Sequence, residues 1–156
     1  MINVEVVIDS KQWKKKFHKP QFLFNKLVKF FPKKYQFLKK KAYLTVLLAD
    51  NKKIRSLNKK FRNKNKSTDI LSFPFENEIN LEKNLYIGDI IISYEYMNTP
   101  TDISNLEFNK KVIKIFIHGF LHLLGHDHKR LSEFKKMSKE EEKIFSLLRK
   151  KIEKII

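Results

Sequence analysis

The feature that most constrains the fold of this chain is a long apolar stripe that ends among clustered histidines. Apolar residues recur at helical spacing from about Ser104 to Gly125, which predicts a helix that is buried over most of its surface. Four of the five histidines lie at the end of this stripe, in the segment HGFLHLLGHDH from His118 to His128. A buried helix that carries several imidazoles indicates a core built around a chemical site.

Three of these histidines have the spacing of metal ligands. His118 and His122 are four residues apart, so on a helix their Cβ atoms lie on one face, about 5 to 6 Å apart. Gly125 can adopt the left-handed conformation that ends a helix, and the resulting turn can bring His128 to the same ion. Three nitrogen ligands leave one position for water, as in catalytic zinc sites. The spacing therefore predicts a zinc-dependent hydrolase.

The composition restricts the ligands and suggests a partner. The chain has no cysteine, which excludes disulfides, thiolate nucleophiles and sulfur-bound zinc. Its 34 Lys and Arg against 17 Asp and Glu give a formal net charge of +17, which favours a polyanion such as nucleic acid. The alternative is a lysine bias without function. No window approaches the roughly 18 uncharged apolar residues of a membrane span, so we expect a cytoplasmic protein with no membrane partner.

The rest of the sequence predicts alternating strands and helices. Apolar alternation and β-branched runs predict strands over Ile2–Ile8, Ala42–Leu48, Asp69–Phe73 and Leu85–Ser93. Helices are predicted over Phe22–Phe31, after an N-cap at Asp50, and from Ser138, where Ser138 and Glu141 would form a capping box. We expect one α+β domain over residues 1–156, with a mixed sheet of about four strands, helices packed on it and the histidine helix at its centre.

The histidine spacing also occurs in a class of zinc proteases. In metzincins, H-x3-H-x2-G-x2-H has a glutamate after the first histidine, and that glutamate is the general base. Here Gly119 occupies this position. A peptidase without this carboxylate lacks the group that activates its water, so the pattern favours a zincin-like fold and site with another substrate. A peptidase-like zinc hydrolase remains an alternative.

The segment HGFLHLLGHDH resembles, residue for residue, the HGxLHLxGxDH signature of the YbeY family, the bacterial endoribonucleases of rRNA maturation. Further matches follow in the order that this family shows: Leu57, Asn58, Phe61 and Arg62, then STDILSFP at 67–74, then IGDI at 87–90. The resemblance covers roughly residues 44 to 148. Ser67 stands where the family often has proline.

By position, the resemblance implies that His118, His122 and His128 bind one Zn²⁺ per chain and that Arg62 is a functional arginine. Arg62 and His118 are thus the candidate catalytic residues. The resemblance also implies a single-strand-specific endoribonuclease that acts on the rRNA precursor of the small ribosomal subunit, in 16S rRNA 3′-end maturation and ribosome quality control. Arg62 suits such a role, because a guanidinium fork binds two phosphate oxygens better than an ammonium does.

Several neighbouring residues have two interpretations from sequence alone. Asp127 either accepts a hydrogen bond from a ligand imidazole or caps the turn before it. Thr68 and Asp69 either shape the pocket floor or cap a strand. Gly88 is expected to let a strand approach the site closely, a structural role, and His126 is expected to face away from the other histidines.

Other questions stay open at the level of the sequence. A non-catalytic ribosome-assembly factor with a structural metal is a second alternative. The general base, the RNA cleavage site, the oligomeric state and the choice between water and the ribose 2′-oxygen as nucleophile are not determined. Lys39, in the basic tract before the second predicted strand, is expected to contribute only to salt-dependent RNA binding.

Overall fold

The computed structural model of the protein describes residues 1–37, 40–75 and 84–155, so Lys39 lies outside the described residues. The strands are β1 (Ile2–Ile8), β2 (Lys41–Ala49), β3 (Ile70–Pro74) and β4 (Asn84–Ser93). The α-helices are α1 (Pro20–Val28), α2 (Asn51–Arg62), α3 (Tyr94–Met97), α4 (Asn105–Leu123) and α5 (Leu131–Ile152). All the predicted strands are confirmed. Within the described ranges, none of the helices has both the length and the apolarity that a membrane crossing needs.

The strands form one mixed sheet in the order β1-β2-β4-β3. β1, β2 and β4 are parallel to one another, whereas the edge strand β3 is antiparallel to β4. Successive side chains of β2 join different hydrophobic clusters, since Leu48 belongs to the larger cluster and Leu47 to the smaller one. Helices therefore cover both faces of the sheet. α1, α4 and α5 pack in the larger cluster and α2 in the smaller, which confirms the predicted α+β architecture.

Helix α4 is the central helix of the larger cluster. It begins after Ser104, whose hydroxyl accepts a hydrogen bond from the backbone N–H of Glu107 at 3.2 Å. Phe116 and Phe120 are completely buried and pack against aromatic rings from α1 and the segment after it. Gly125 follows the helix with φ of 89°, the left-handed conformation that the sequence predicts there. The buried histidine-bearing helix is therefore confirmed.

The last helix begins earlier than the sequence suggested. α5 begins at Leu131, because the side chain of Glu133 accepts a hydrogen bond from the backbone N–H of Arg130 at 3.1 Å. The predicted start at Ser138 is wrong, since that residue lies inside the helix. Glu141 therefore has no capping role, and its carboxylate is available to the neighbouring helix. The first helix also ends early, at Val28.

Close packing at Gly119 brings α4 directly against the edge strand. A Cβ atom at this position would lie 2.6 Å from Cδ1 of Ile70 and 3.0 Å from Oγ of Ser72. Both distances are shorter than normal van der Waals contact, so a larger residue at position 119 would require these side chains of β3 to shift. The neighbouring residue His118 is thereby held beside β3.

Candidate metal centre

Three histidines converge at the C-terminal end of α4. The possible ligand atoms of His118, His122 and His128 all lie within 4.8 Å of one another. The rings of His118 and His122, one helical turn apart, have centroids separated by 4.7 Å. His128 joins them after the turn at Gly125, and its ring centroid lies 5.0 Å from that of His122. The three predicted ligands thus form a group that could hold a metal ion. His126, which the structure also describes, lies outside this group.

The geometry of the two helical histidines fits a tetrahedral ion. The Nε2 atoms of His118 and His122 face each other at 3.1 Å. Two nitrogens bound at about 2.0–2.1 Å in a tetrahedral arrangement lie roughly 3.4 Å apart. A small adjustment of the side chains is therefore enough for both to bind one ion, and a donor set of imidazoles suits zinc.

The surroundings of His122 favour the protonation state that binds metals. Burial, and after it the nearby imidazoles of His118 and His128, lowers the pKa of His122 below its ordinary value. A lower pKa keeps the ring neutral near neutral pH, and the neutral ring is the form that coordinates a metal. His128 is exposed, so solvent reaches the group from its side.

A glutamate that the sequence pattern assigned to a helix cap belongs to the site. Nδ1 of His118 lies 2.6 Å from Oε1 of Glu141 on α5. The His118 ring thus directs Nε2 toward His122 and Nδ1 toward a carboxylate. Such a carboxylate fixes the orientation and tautomer of a ligand imidazole and raises its basicity. Glu141 shares a helix face with the buried residues Met137 and Ile144. An acidic residue on an otherwise apolar helix face was the feature of the sequence that could have indicated this role.

Arg62, at the end of α2, lies at the open edge of β3. Its Nη2 donates a hydrogen bond to the carbonyl oxygen of Ser72 at 2.9 Å, and its guanidinium carbon lies 5.4 Å from the ring centroid of Phe73. Two odd-numbered residues of this edge form backbone hydrogen bonds with β4: the carbonyl oxygen of Asp69 accepts from Ser93, and the N–H of Phe75 donates to Ile87. Because hydrogen-bonded and non-bonded positions alternate in antiparallel pairs, the Ser72 carbonyl points away from β4.

Arg62 and the histidines are linked through β3 and not by a direct bond. The side chain of Ser72 is buried on the inner face of β3, against Gly119 of α4. The guanidinium of Arg62 is held on the outer edge of the same residue. Among the residues that the structure describes, no acidic side chain pairs with Arg62. Its remaining N–H groups are therefore available to an anion.

The structure also shows the contacts of the other residues near the site. Asp127 caps the turn, since its Oδ1 accepts a hydrogen bond from the backbone N–H of His128 at 2.7 Å. Asp69 has both predicted roles, because it accepts from the next backbone N–H at 2.8 Å and also lines a groove beside His118. At Gly88 of β4, a Cβ atom would collide with the backbone carbonyl of Phe73 and would lie 2.9 Å from the side chain of Leu123. Leu123 follows His122 in the chain, so this glycine allows β4 to pass close to the histidine end of α4.

Comparison with known proteins identifies relatives over nearly the whole chain. The sequence model of the family described as Endoribonuclease YbeY matches residues 7–149. The chain is 58% identical over 152 residues to Endoribonuclease YbeY of Pelagibacter ubique, covering 97% of this chain and 99% of that protein. It is 37% identical over 135 residues to the Endoribonuclease YbeY of Buchnera aphidicola, covering 80% and 87%. The solution structure of TM1509 from Thermotoga maritima is similar in fold, with a TM-score of 0.50 at 23% identity over 97% of this chain and 93% of that chain.

Proposed function

The chain belongs to the YbeY endoribonuclease family, and on this premise we propose that it is a zinc-dependent endoribonuclease specific for single-stranded RNA. The observation that carries the proposal is the group of three histidines whose ligand atoms lie within 4.8 Å of one another. The carboxylate of Glu141 on His118 supports a metal-binding role for this histidine. The formal charge of +17 supports a polyanionic substrate.

The proposed biological role follows from the family resemblance. The substrate is the rRNA precursor of the small ribosomal subunit, and the reaction contributes to maturation of the 16S rRNA 3′ end and to ribosome quality control. Residues 1–156 act as one domain in the cytoplasm. The high positive charge of the chain agrees with an rRNA substrate, since cationic side chains neutralise backbone phosphates.

Each residue of the site has a chemical task in this proposal. His118, His122 and His128 would hold the zinc ion, which would supply Lewis acidity and activate water for attack. Glu141 holds the His118 ring through Nδ1. Arg62 uses one N–H group to bind the Ser72 carbonyl and offers the others to the charge that develops on the scissile phosphate. A guanidinium anchored in this way is preorganised, so little reorganisation accompanies the reaction.

We expect the purified protein to cleave single-stranded RNA and to leave an unfolded protein such as casein intact. The physical reason lies at Gly119, which has no carboxylate at the position that the general base occupies in a metzincin peptidase. Gel assays of both substrates with the zinc-loaded protein test this prediction. Metal-dependent cleavage of casein without cleavage of RNA would favour the peptidase alternative, and cleavage of neither would favour the assembly factor.

The ends of the RNA products identify the nucleophile. A 2′,3′-cyclic phosphate indicates attack by the ribose 2′-oxygen, and a 3′-hydroxyl indicates attack by water. The products of the same cleavage reactions are sufficient to distinguish the two ends, and no variant is required.

Replacement of Glu141 by glutamine is expected to lower zinc affinity by about 10- to 100-fold. The amide cannot accept the ring N–H of His118 as strongly as the carboxylate does, so the ring loses basicity and orientation. Competition with a chromogenic zinc chelator measures the affinity. Glu142→Gln is the matched control, because Glu142 lies next to it on α5 and contacts the hydroxyl of Ser146. Equal zinc affinity of the two variants would exclude this role for Glu141.

A further inference from the structure

A groove of about 290 Å³ opens beside His118, between β3, α3, α4 and α5. Its volume is near the lower end of the roughly 300–1,000 Å³ of small-ligand sites. Tyr96, Lys114 and Glu141 contribute to its lining, together with apolar side chains of α3 and α4. Because His118 belongs to both the groove and the metal centre, a ligand bound at the metal can extend into the groove.

Two lysines continue the line of histidines along α4. Lys114 and Lys111 precede His118 by four and seven residues, and both line the groove. These spacings place them one and two turns away on the same side of the helix, at steps of about 5.4 Å. A polyanion that leaves the metal centre along this face therefore meets ammonium groups at successive turns.

Of these two lysines, Lys114 is the one available to a ligand. Its side chain is exposed and its Nζ lies 4.7 Å from the ring centroid of Phe145. Within the described part of the chain, no acid forms an ion pair with it. The acids of the groove are engaged elsewhere, since Glu141 contacts His118 and Asp69 accepts a backbone N–H. Lys114 can therefore bind a phosphate.

Lys111 anchors the backbone that carries the aromatic residue Tyr96. Its Nζ donates hydrogen bonds to the carbonyl oxygens of Tyr96 and Thr99, both at 2.8 Å, which ties the end of α3 to α4. The Tyr96 hydroxyl donates to the carbonyl oxygen of Ser67 at 3.4 Å. Tyr96 nevertheless remains 39% exposed. An accessible aromatic ring on an anchored backbone is a stacking platform for an unpaired base.

We propose that this groove binds the nucleotide next to the scissile phosphate, with its base stacked on Tyr96 and its phosphate at Lys114. The subsite rests on the proposed function, since it requires single-stranded RNA at the metal centre. Stacking and charge do not distinguish one base from another, so the subsite is tolerant of sequence. It selects single strands, because a base inside a duplex cannot stack on Tyr96.

Equilibrium binding to the zinc-loaded protein tests the subsite. The probe is a short fluorescent single-stranded RNA whose 2′-O-methyl groups and phosphorothioate linkages slow its cleavage. Tyr96→Leu is expected to weaken binding by about 5- to 150-fold, the scale for loss of one stacked base, whereas Tyr96→Phe binds like the wild type. Lys114→Gln is expected to reduce the slope of log affinity against log salt by about 0.7, the value for one phosphate contact on a single strand.

Two residues of α1 provide matched controls. Phe22 is an aromatic residue that is 57% exposed, and Nζ of Lys26 lies 5.2 Å from its ring centroid. Phe22→Leu and Lys26→Gln should change neither the affinity nor its salt dependence. If Tyr96→Leu and Lys114→Gln bind like these controls while the wild type cleaves single-stranded RNA, the subsite is wrong and the proposed function stands. A zinc-loaded wild type that neither binds nor cleaves single-stranded RNA overturns both.

Discussion

His122→Ala is expected to remove the metal and to abolish RNA cleavage while the chain stays folded. His122 is the central member of the histidine group, since its Nε2 lies 3.1 Å from Nε2 of His118 and its ring centroid lies 5.0 Å from that of His128. Two remaining imidazoles rarely retain zinc, so the wild type should hold about one ion per chain and the variant close to none. Elemental analysis measures the zinc content, and circular dichroism verifies the fold.

His126→Ala is the control for this variant. His126 lies in the same turn but outside the group of three, so its loss should leave the zinc content unchanged. Retention of a full equivalent of zinc by His122→Ala would show that the metal binds elsewhere. A folded wild type that is active without metal would end the zinc hypothesis.

Arg62→Ala should lower turnover by about 10² to 10³, the scale for one preorganised electrostatic donor. The guanidinium is anchored on the Ser72 carbonyl and no described acid neutralises it, so it can bind phosphate charge in the transition state. The zinc content should not change, because Arg62 makes no bond to the histidines. Single-turnover cleavage of a labelled single strand measures the effect.

Two further arginine variants separate geometry from charge. Arg62→Lys keeps the charge but loses the bidentate fork, so we expect only partial activity. Arg55 lies on the same helix and donates a hydrogen bond to the side chain of Asn65 at 2.9 Å. Arg55→Ala should therefore cleave RNA like the wild type. If Arg62→Ala does the same, Arg62 has no catalytic role.

Local features of the sequence predicted the strands and the central helix well. The alternation in Ile2–Ile8 and the apolar stripe that ends at Gly125 describe burial that continues over many residues, and such patterns depend little on distant contacts. The convergence of the three histidines could also be predicted, because it depends only on local structure. One helical turn and one glycine in the left-handed conformation are sufficient to produce it.

The surroundings of the histidines depend on tertiary contacts, which the sequence does not display. Glu141 is 23 residues from His118, and the wrong start of α5 assigned this carboxylate to a cap. The sequence indicated Arg62 as a functional residue, because arginine binds phosphate well. Its position could not be predicted, because it depends on β3 being an edge strand whose Ser72 carbonyl points outward. The groove at Tyr96 also required the packing of three helices around one strand.

Zinc titration of RNA cleavage tests most directly whether the histidine group is the active site. The protein is stripped of metal, reloaded with increasing Zn²⁺, and assayed on single-stranded and double-stranded RNA at each step. We predict that cleavage of the single strand rises with bound zinc and reaches its maximum at about one ion per chain, while the duplex stays intact. Full-rate cleavage by the stripped protein, or an intact single strand with one zinc bound per chain, would contradict the proposed function.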